Sequence, residues 1–179
     1  VSAYGIIAYV CFVFFAIFIG YSVGIAPVIG FNFGAKNKDE LTNILNKSFI
    51  IIASAGILMF VLSLALAKPF SYIFANDYPE LHELTTKAMM IYSFCYLFAG
   101  FSMFGSSFFT ALNNGVISAI ISFCRTLVFQ LGSVFIFPLF MGVDGIWFSI
   151  IVAEFLSMAM TLLFIILYRK RYGYRLLKS

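Results

Sequence analysis

Five stretches of this chain stay apolar for twenty residues or more, and that pattern decides what it can fold into. They lie at about 5–33, 48–67, 85–111, 117–137 and 146–168. A helix of about 20 residues crosses the roughly 30 Å of hydrocarbon in a bilayer. Backbone groups in lipid must be satisfied within the segment, so runs of this length have to be helical. The first and third runs are long enough to tilt or to extend beyond the hydrocarbon. Charged residues make up only 10% of the chain, against about 25% in soluble domains, so a water-facing surface cannot be covered. The predicted fold is an all-α membrane protein: a five-helix bundle over 1–168 and a basic tail over 169–179.

Turn chemistry separates the runs. Gly34-Ala35-Lys36-Asn37-Lys38 ends the first, Lys68-Pro69 the second, and Asn113-Asn114-Gly115 the third. Pro138 and Gly142-Val143-Asp144-Gly145 divide the last two. Basic residues fall unevenly across these breaks. Lys36, Lys38, Lys47, Arg169, Lys170, Arg171, Arg175 and Lys178 lie on one set of loops, and only Lys68 and Lys87 on the other. The bias predicts that the 36–47 loop and the tail are cytoplasmic; the membrane expected is the plasma membrane. The net charge of +4 is concentrated after a long apolar helix, a membrane-surface pattern rather than a nucleic-acid one. Tyr168, Tyr172 and Tyr174 are expected at the headgroup level there, and the Phe70–Phe74 segment at the opposite interface. The chain begins with Val1 in an apolar helix, which suggests that upstream sequence, and with it a partner half, is missing.

Gly24-Ile-Ala-Pro27-Val-Ile-Gly30-Phe-Asn32-Phe-Gly34-Ala35 resembles a helix-end motif of the multidrug and toxic compound extrusion (MATE) family. Three further stretches agree in order: Phe74-Ala-Asn-Asp77, Phe109-Thr-Ala111-Leu112-Asn-Asn, and Pro138-Leu-Phe-Met-Gly142-Val-Asp-Gly145-Ile-Trp147. The resemblance places the chain at the family's helices eight to twelve, most of one lobe of a two-lobed transporter. It implies a secondary antiporter that exports amphipathic or cationic small molecules, with a proton or sodium ion as coupling ion and no organic cofactor. In the sodium-binding branch a carboxylate lies midway along the tenth helix. The matching level here is near Ser102, and the 85–111 run contains no carboxylate.

The residues support physical readings of their own. Pro27 removes a helix donor, Asn32 can bond freed carbonyls, and Gly34 can take a left-handed terminal position. The pairs Gly20/Gly24 and Gly30/Gly34 suit close helix approach. This stretch is either a tightly packed helix end or a hinge for alternating access. In the third run Cys95, Ala99, Ser102, Ser106 and Thr110 recur on one helical face, with Tyr92 and Tyr96 near its outer end. That face reads as a helix–helix seam or as a wall of the substrate cleft. Cys11, Cys95 and Cys124 lack paired or metal-type spacing and read as packing residues.

Arg125 and Glu154 are the charged residues deep inside the runs, and such charges are expensive in lipid. Their depths differ by about 6 Å from helix geometry, within reach of an arginine side chain. They can form a structural ion pair. Alternatively, Glu154 is an ion-coupling carboxylate, or Arg125 snorkels or bonds carbonyls. His82 reads as a solvated loop histidine beside Glu80 and Glu83. No metal cluster, nucleophile–base pair or nucleotide fingerprint stands out, so an enzyme is not expected. Two other functions remain open. One is a lipid or polysaccharide flippase of the same broad superfamily, which would want several inward-facing cations. The other is a non-transporting membrane scaffold.

Overall fold

A computed structural model describes residues 2–75 and 79–175, without the side chains of 2–4, 6, 73–81 and 143. Asn76 and Asp77, and the outer-loop resemblance they carry, lie outside the described residues. The helices are α1 (Ser2–Gly34), α2 (Lys38–Ala75), α3 (Pro79–Tyr92), α4 (Tyr96–Ala111), α5 (Gly115–Phe123) and α6 (Gly132–Tyr172). A 3-10 turn, Ser93–Cys95, joins α3 to α4, and a π-helix, Cys124–Leu131, joins α5 to α6.

Among the described residues five segments are long and apolar enough to cross a membrane: Ile7–Gly34, Lys38–Tyr72, His82–Ala111, Gly115–Gly142 and Asp144–Tyr172. These spans run past the apolar cores of the sequence because their polar ends continue the helix. Pro69 does not end the second run but lies inside α2. Its missing N–H removes one helix hydrogen bond, a loss that membrane helices tolerate. Pro138 is likewise inside α6, and the chain turns instead at Gly142, whose φ of 60° and ψ of −137° belong to glycine. The turn is tight: a Cβ on Gly145 would sit 2.6 Å from the Phe137 carbonyl oxygen. At the end of α1 the left-handed residue is Lys36, with φ 56°, and Gly34 stays helical. His82 is not in a loop; it lies on α3, where its Nδ1 is 2.9 Å from Ser71 Oγ.

The α4 helix is the hub of the bundle, packed by α1, α2, α5 and α6. Phe104, Phe108 and Phe109 are wholly buried there. Gly100 lets Phe18 and Ile52 close in, and Gly105 accommodates Thr161. Large apolar side chains such as Phe12, Phe31, Phe135, Leu139 and Phe140 point outward instead, as a lipid-facing surface requires. The Lys87–Asp144 ion pair, 2.6 Å, ties α3 to the Gly142–Gly145 turn at one end. At the other end Arg175 donates its N–H to Thr42 Oγ1, 3.0 Å, so the tail and the start of α2 meet.

Candidate functional site

A cavity of about 270 Å³ opens between α1, α4 and the fourth span. Small side chains make the room. Ser102, Ser106 and Ser107 come from α4, Ser22 from α1, and Ser122, Arg125 and Thr126 from the fourth span. The hydroxyls are wired together across the helices. Ser106 Oγ is 2.9 Å from Ser118 Oγ and 2.8 Å from Ser122 Oγ, and Thr110 donates to Ser118 Oγ at 2.7 Å. Ser107 donates to the Ser22 carbonyl, 2.8 Å, which fixes α4 against α1. Ser102 stands outside this wiring. It is 1% exposed, lines the cavity, and its hydroxyl has no partner.

Arg125 enters the cavity wall from the π-helix. The wider turn of a π-helix is uncommon and concentrates at functional sites. The guanidinium grips Glu154 of the fifth span: Nε donates to Oε1 at 3.1 Å and Oε2 at 3.0 Å, and Nη2 donates to Oε1 at 2.7 Å. Its other side rests over the Phe15 ring, 5.8 Å from the centroid. Glu154 is 5% exposed. Burying a carboxylate and a guanidinium this deep is costly unless they pair and hydrogen-bond as these do.

The remaining residues singled out by sequence take other places. Ser102 and Ser106 line the cavity, and Thr110 joins the hydroxyl network from an exposed position. Tyr92, Cys95 and Tyr96 are buried in the core. The Tyr96 hydroxyl lies 3.1 Å from Cys11 Sγ, with its ring edge-on to Phe14. In the helix-end motif, Pro27 lies within α1 and Asn32 donates to the Val28 carbonyl, 2.9 Å. Gly30 faces the Ala111 carbonyl, while Ala35 is exposed. Cβ atoms on Gly20, Gly24 and Gly34 would meet nothing within 4 Å. The closest helix approaches inside the chain therefore use Gly56, Gly100 and Gly105; of the two sequence pairs only Gly30 meets another helix. The sequence reading missed Ser22, Ser107, Ser118, Ser122 and Thr126. A usable signal was present, since Ser118, Ser122, Arg125 and Thr126 recur at helical spacing along the fourth span.

The MatE family model matches residues 1–136. The chain belongs to the MatE family. Two solved structures are similar to it, described as the outward-facing and inward-facing conformations of a multidrug resistance MATE family transporter of the MOP superfamily. Identity is 18% and 19%, with TM-scores of 0.89 and 0.86; each match covers 96% of this chain and 39% of the solved one. At that identity the likeness establishes the fold, and the chain spans well under half the length of these MATE proteins. No curated protein matches it.

Proposed function

We propose that this MatE chain supplies five helices of one lobe of an ion-driven efflux transporter for amphipathic or cationic small molecules, and that the Arg125 cavity is part of its substrate path. The observation that carries this reading is the cavity itself. It is an opening between membrane helices in which seven hydroxyl and guanidinium side chains stand beside Ile19, Val23, Met103 and Ile121, with a buried hydroxyl left unpaired and a charge pair in its wall. Intramembrane charges and irregular helix geometry together mark pathways in transporters. The second lobe would come from the rest of the protein, and rocking of the lobes would expose the cleft alternately. A proton or sodium gradient would supply the driving force. Glu154 is already held by Arg125, which argues against an open cation site on that carboxylate. The same neutralisation disfavours a flippase with a cationic cleft.

The test uses the full-length protein in efflux-deficient cells loaded with a fluorescent organic cation. Extrusion that collapses with the ion gradient, and that weakens when Ser106→Val and Ser122→Val fill the cavity, supports the reading. A stable, membrane-inserted protein that moves no probe under any gradient overturns it.

A further inference from the structure

The tail end of the bundle brings together basic residues that are far apart in sequence. Gly173 adopts a left-handed conformation, φ 76°, and turns the chain back on itself after α6. Tyr174 then folds inward, 2% exposed, and donates its hydroxyl to the Ile165 carbonyl at 2.7 Å. Arg175 is pinned by its N–H to Thr42 at the start of α2. Tyr172 is fixed by Asn114, which donates to its hydroxyl at 2.8 Å. The Lys38 stem lies close over Gly173. Two adjoining clefts result. One, of about 480 Å³, is walled by Arg169, Lys170, Tyr174 and Arg175. The other, of about 140 Å³, is walled by Lys36, Lys38, Arg171 and Tyr172.

Six cationic side chains therefore face one small region, all of them exposed. Among the described residues no carboxylate forms an ion pair with any of them. The nearby acids are Asp39 and Glu40 on the first turn of α2, and Glu40 is engaged with Asn43. The opposite end differs, since Lys87 there is neutralised by Asp144. Arg171 lies over the Tyr168 and Tyr172 rings at 5.8 and 5.9 Å, which holds its guanidinium at the level of the aromatic belt. Exposed Ile166 and Leu167 lie just before this belt on the same helix, and exposed Phe31 precedes the Asn32–Lys38 wall. An anion seated in the clefts would thus have apolar surface beside it for acyl chains.

We infer that this end of the bundle is a preformed site for the phosphate headgroup of an anionic phospholipid. The site goes beyond the efflux reading and does not depend on it. Arg and Lys supply charge-assisted donors to the phosphate oxygens, and the folded tail spares the lipid the cost of ordering them.

The test reconstitutes the full-length protein in phosphatidylcholine membranes and measures, by electron spin resonance, the association of spin-labelled phosphatidylglycerol relative to spin-labelled phosphatidylcholine. A several-fold preference for phosphatidylglycerol is expected. It should fall by up to about fivefold for each charge removed in Lys38→Gln, Arg171→Gln and Arg175→Gln, and approach none in the triple variant. The charge-keeping pair Arg171→Lys with Arg175→Lys should retain it, as should Lys68→Gln at the other end. No preference in the wild type, or one that survives the triple variant, overturns the inference. So does loss of the preference to millimolar inorganic phosphate at constant ionic strength, which would mark a site for a free anion.

Discussion

Separating Arg125 from Glu154 should cost far more than removing both. Three hydrogen bonds of 2.7 to 3.1 Å join the two groups, and the side chains are 20% and 6% exposed. Breaking a buried pair on one side costs about 3–5 kcal/mol, because the surviving charge is stranded; replacing both partners by apolar groups is often nearly neutral. Partial exposure of Arg125 points to the lower end, about 3 kcal/mol, a factor of about 150 in the folding equilibrium. Arg125→Met should be the worse single change, since it leaves Glu154 almost fully buried without a counter-charge. Glu154→Gln should cost less, because Arg125 can turn toward the cavity it already lines. The double variant should recover most of the loss. Folded yield and thermal midpoint, read by fluorescence-detected size exclusion of the full-length protein, measure this. Additive losses would refute the structural role of the pair. A Glu154→Gln protein that is fully stable yet inactive, with no rescue by Arg125→Met, would instead assign Glu154 to coupling.

Other outcomes follow from local geometry. A Cβ on Gly56 would lie 2.8 Å from the Tyr96 carbonyl oxygen, so Gly56→Ala should cost about 1–3 kcal/mol. Gly20 meets nothing within this chain, so Gly20→Ala should gain up to about 1 kcal/mol in residues 1–179 alone; thermal melts of the two variants decide. Ser102→Ala removes a buried hydroxyl without a partner, so it should cost no stability and gain up to about 1 kcal/mol, while lowering efflux if that hydroxyl serves the substrate. Cysteines placed at Asn37 and Glu83 should react with an impermeant thiol reagent from opposite sides of the membrane, Asn37 from the cytoplasm. Labelling of both from one side would break the five-span topology.

The spans were legible because burial in lipid leaves its mark on composition alone, residue by residue. Their ends were not. Pro69 and Pro138 read as stops, since a proline-broken hydrogen bond is normally costly, yet a long apolar helix continues through both. The Arg125–Glu154 contact was legible because two charges in lipid have few affordable partners and helix geometry fixed their depths. The cavity was less so. The Cys95–Thr110 face is continuous in sequence, but in space its first half, Cys95 and Ala99, is buried in the core, and only Ser102 and Ser106 beyond it line the opening. Which half is open depends on the neighbouring helices, and no periodicity within α4 encodes that. The tail likewise looked like a generic basic stretch, until Gly173 and Tyr174 folded it onto α2.

The helix that carries Arg125 is also the one this chain covers least. Only 11% of the hydrophobic window of the fourth span is buried, against 61% for the third. Residues of the third span such as Cys95 and Ala99 are therefore accounted for by packing within the chain. The fourth span cannot be explained that way. It bears Ser118, Ser122, Arg125 and Thr126 along one stripe, and apolar Val116, Phe123, Leu127 and Val128 as exposed side chains. The apolar set can meet lipid without cost. The stripe cannot, because each polar group left without a partner in hydrocarbon costs several kcal/mol. Ser118 and Ser122 bond to Ser106, and Arg125 to Glu154, which turns the stripe toward α4 and the fifth span. Thr126 and the unpaired Ser102 still face the opening between them. That opening suits water, a substrate or another part of the protein better than lipid, and the first two of these are what the proposed substrate path requires.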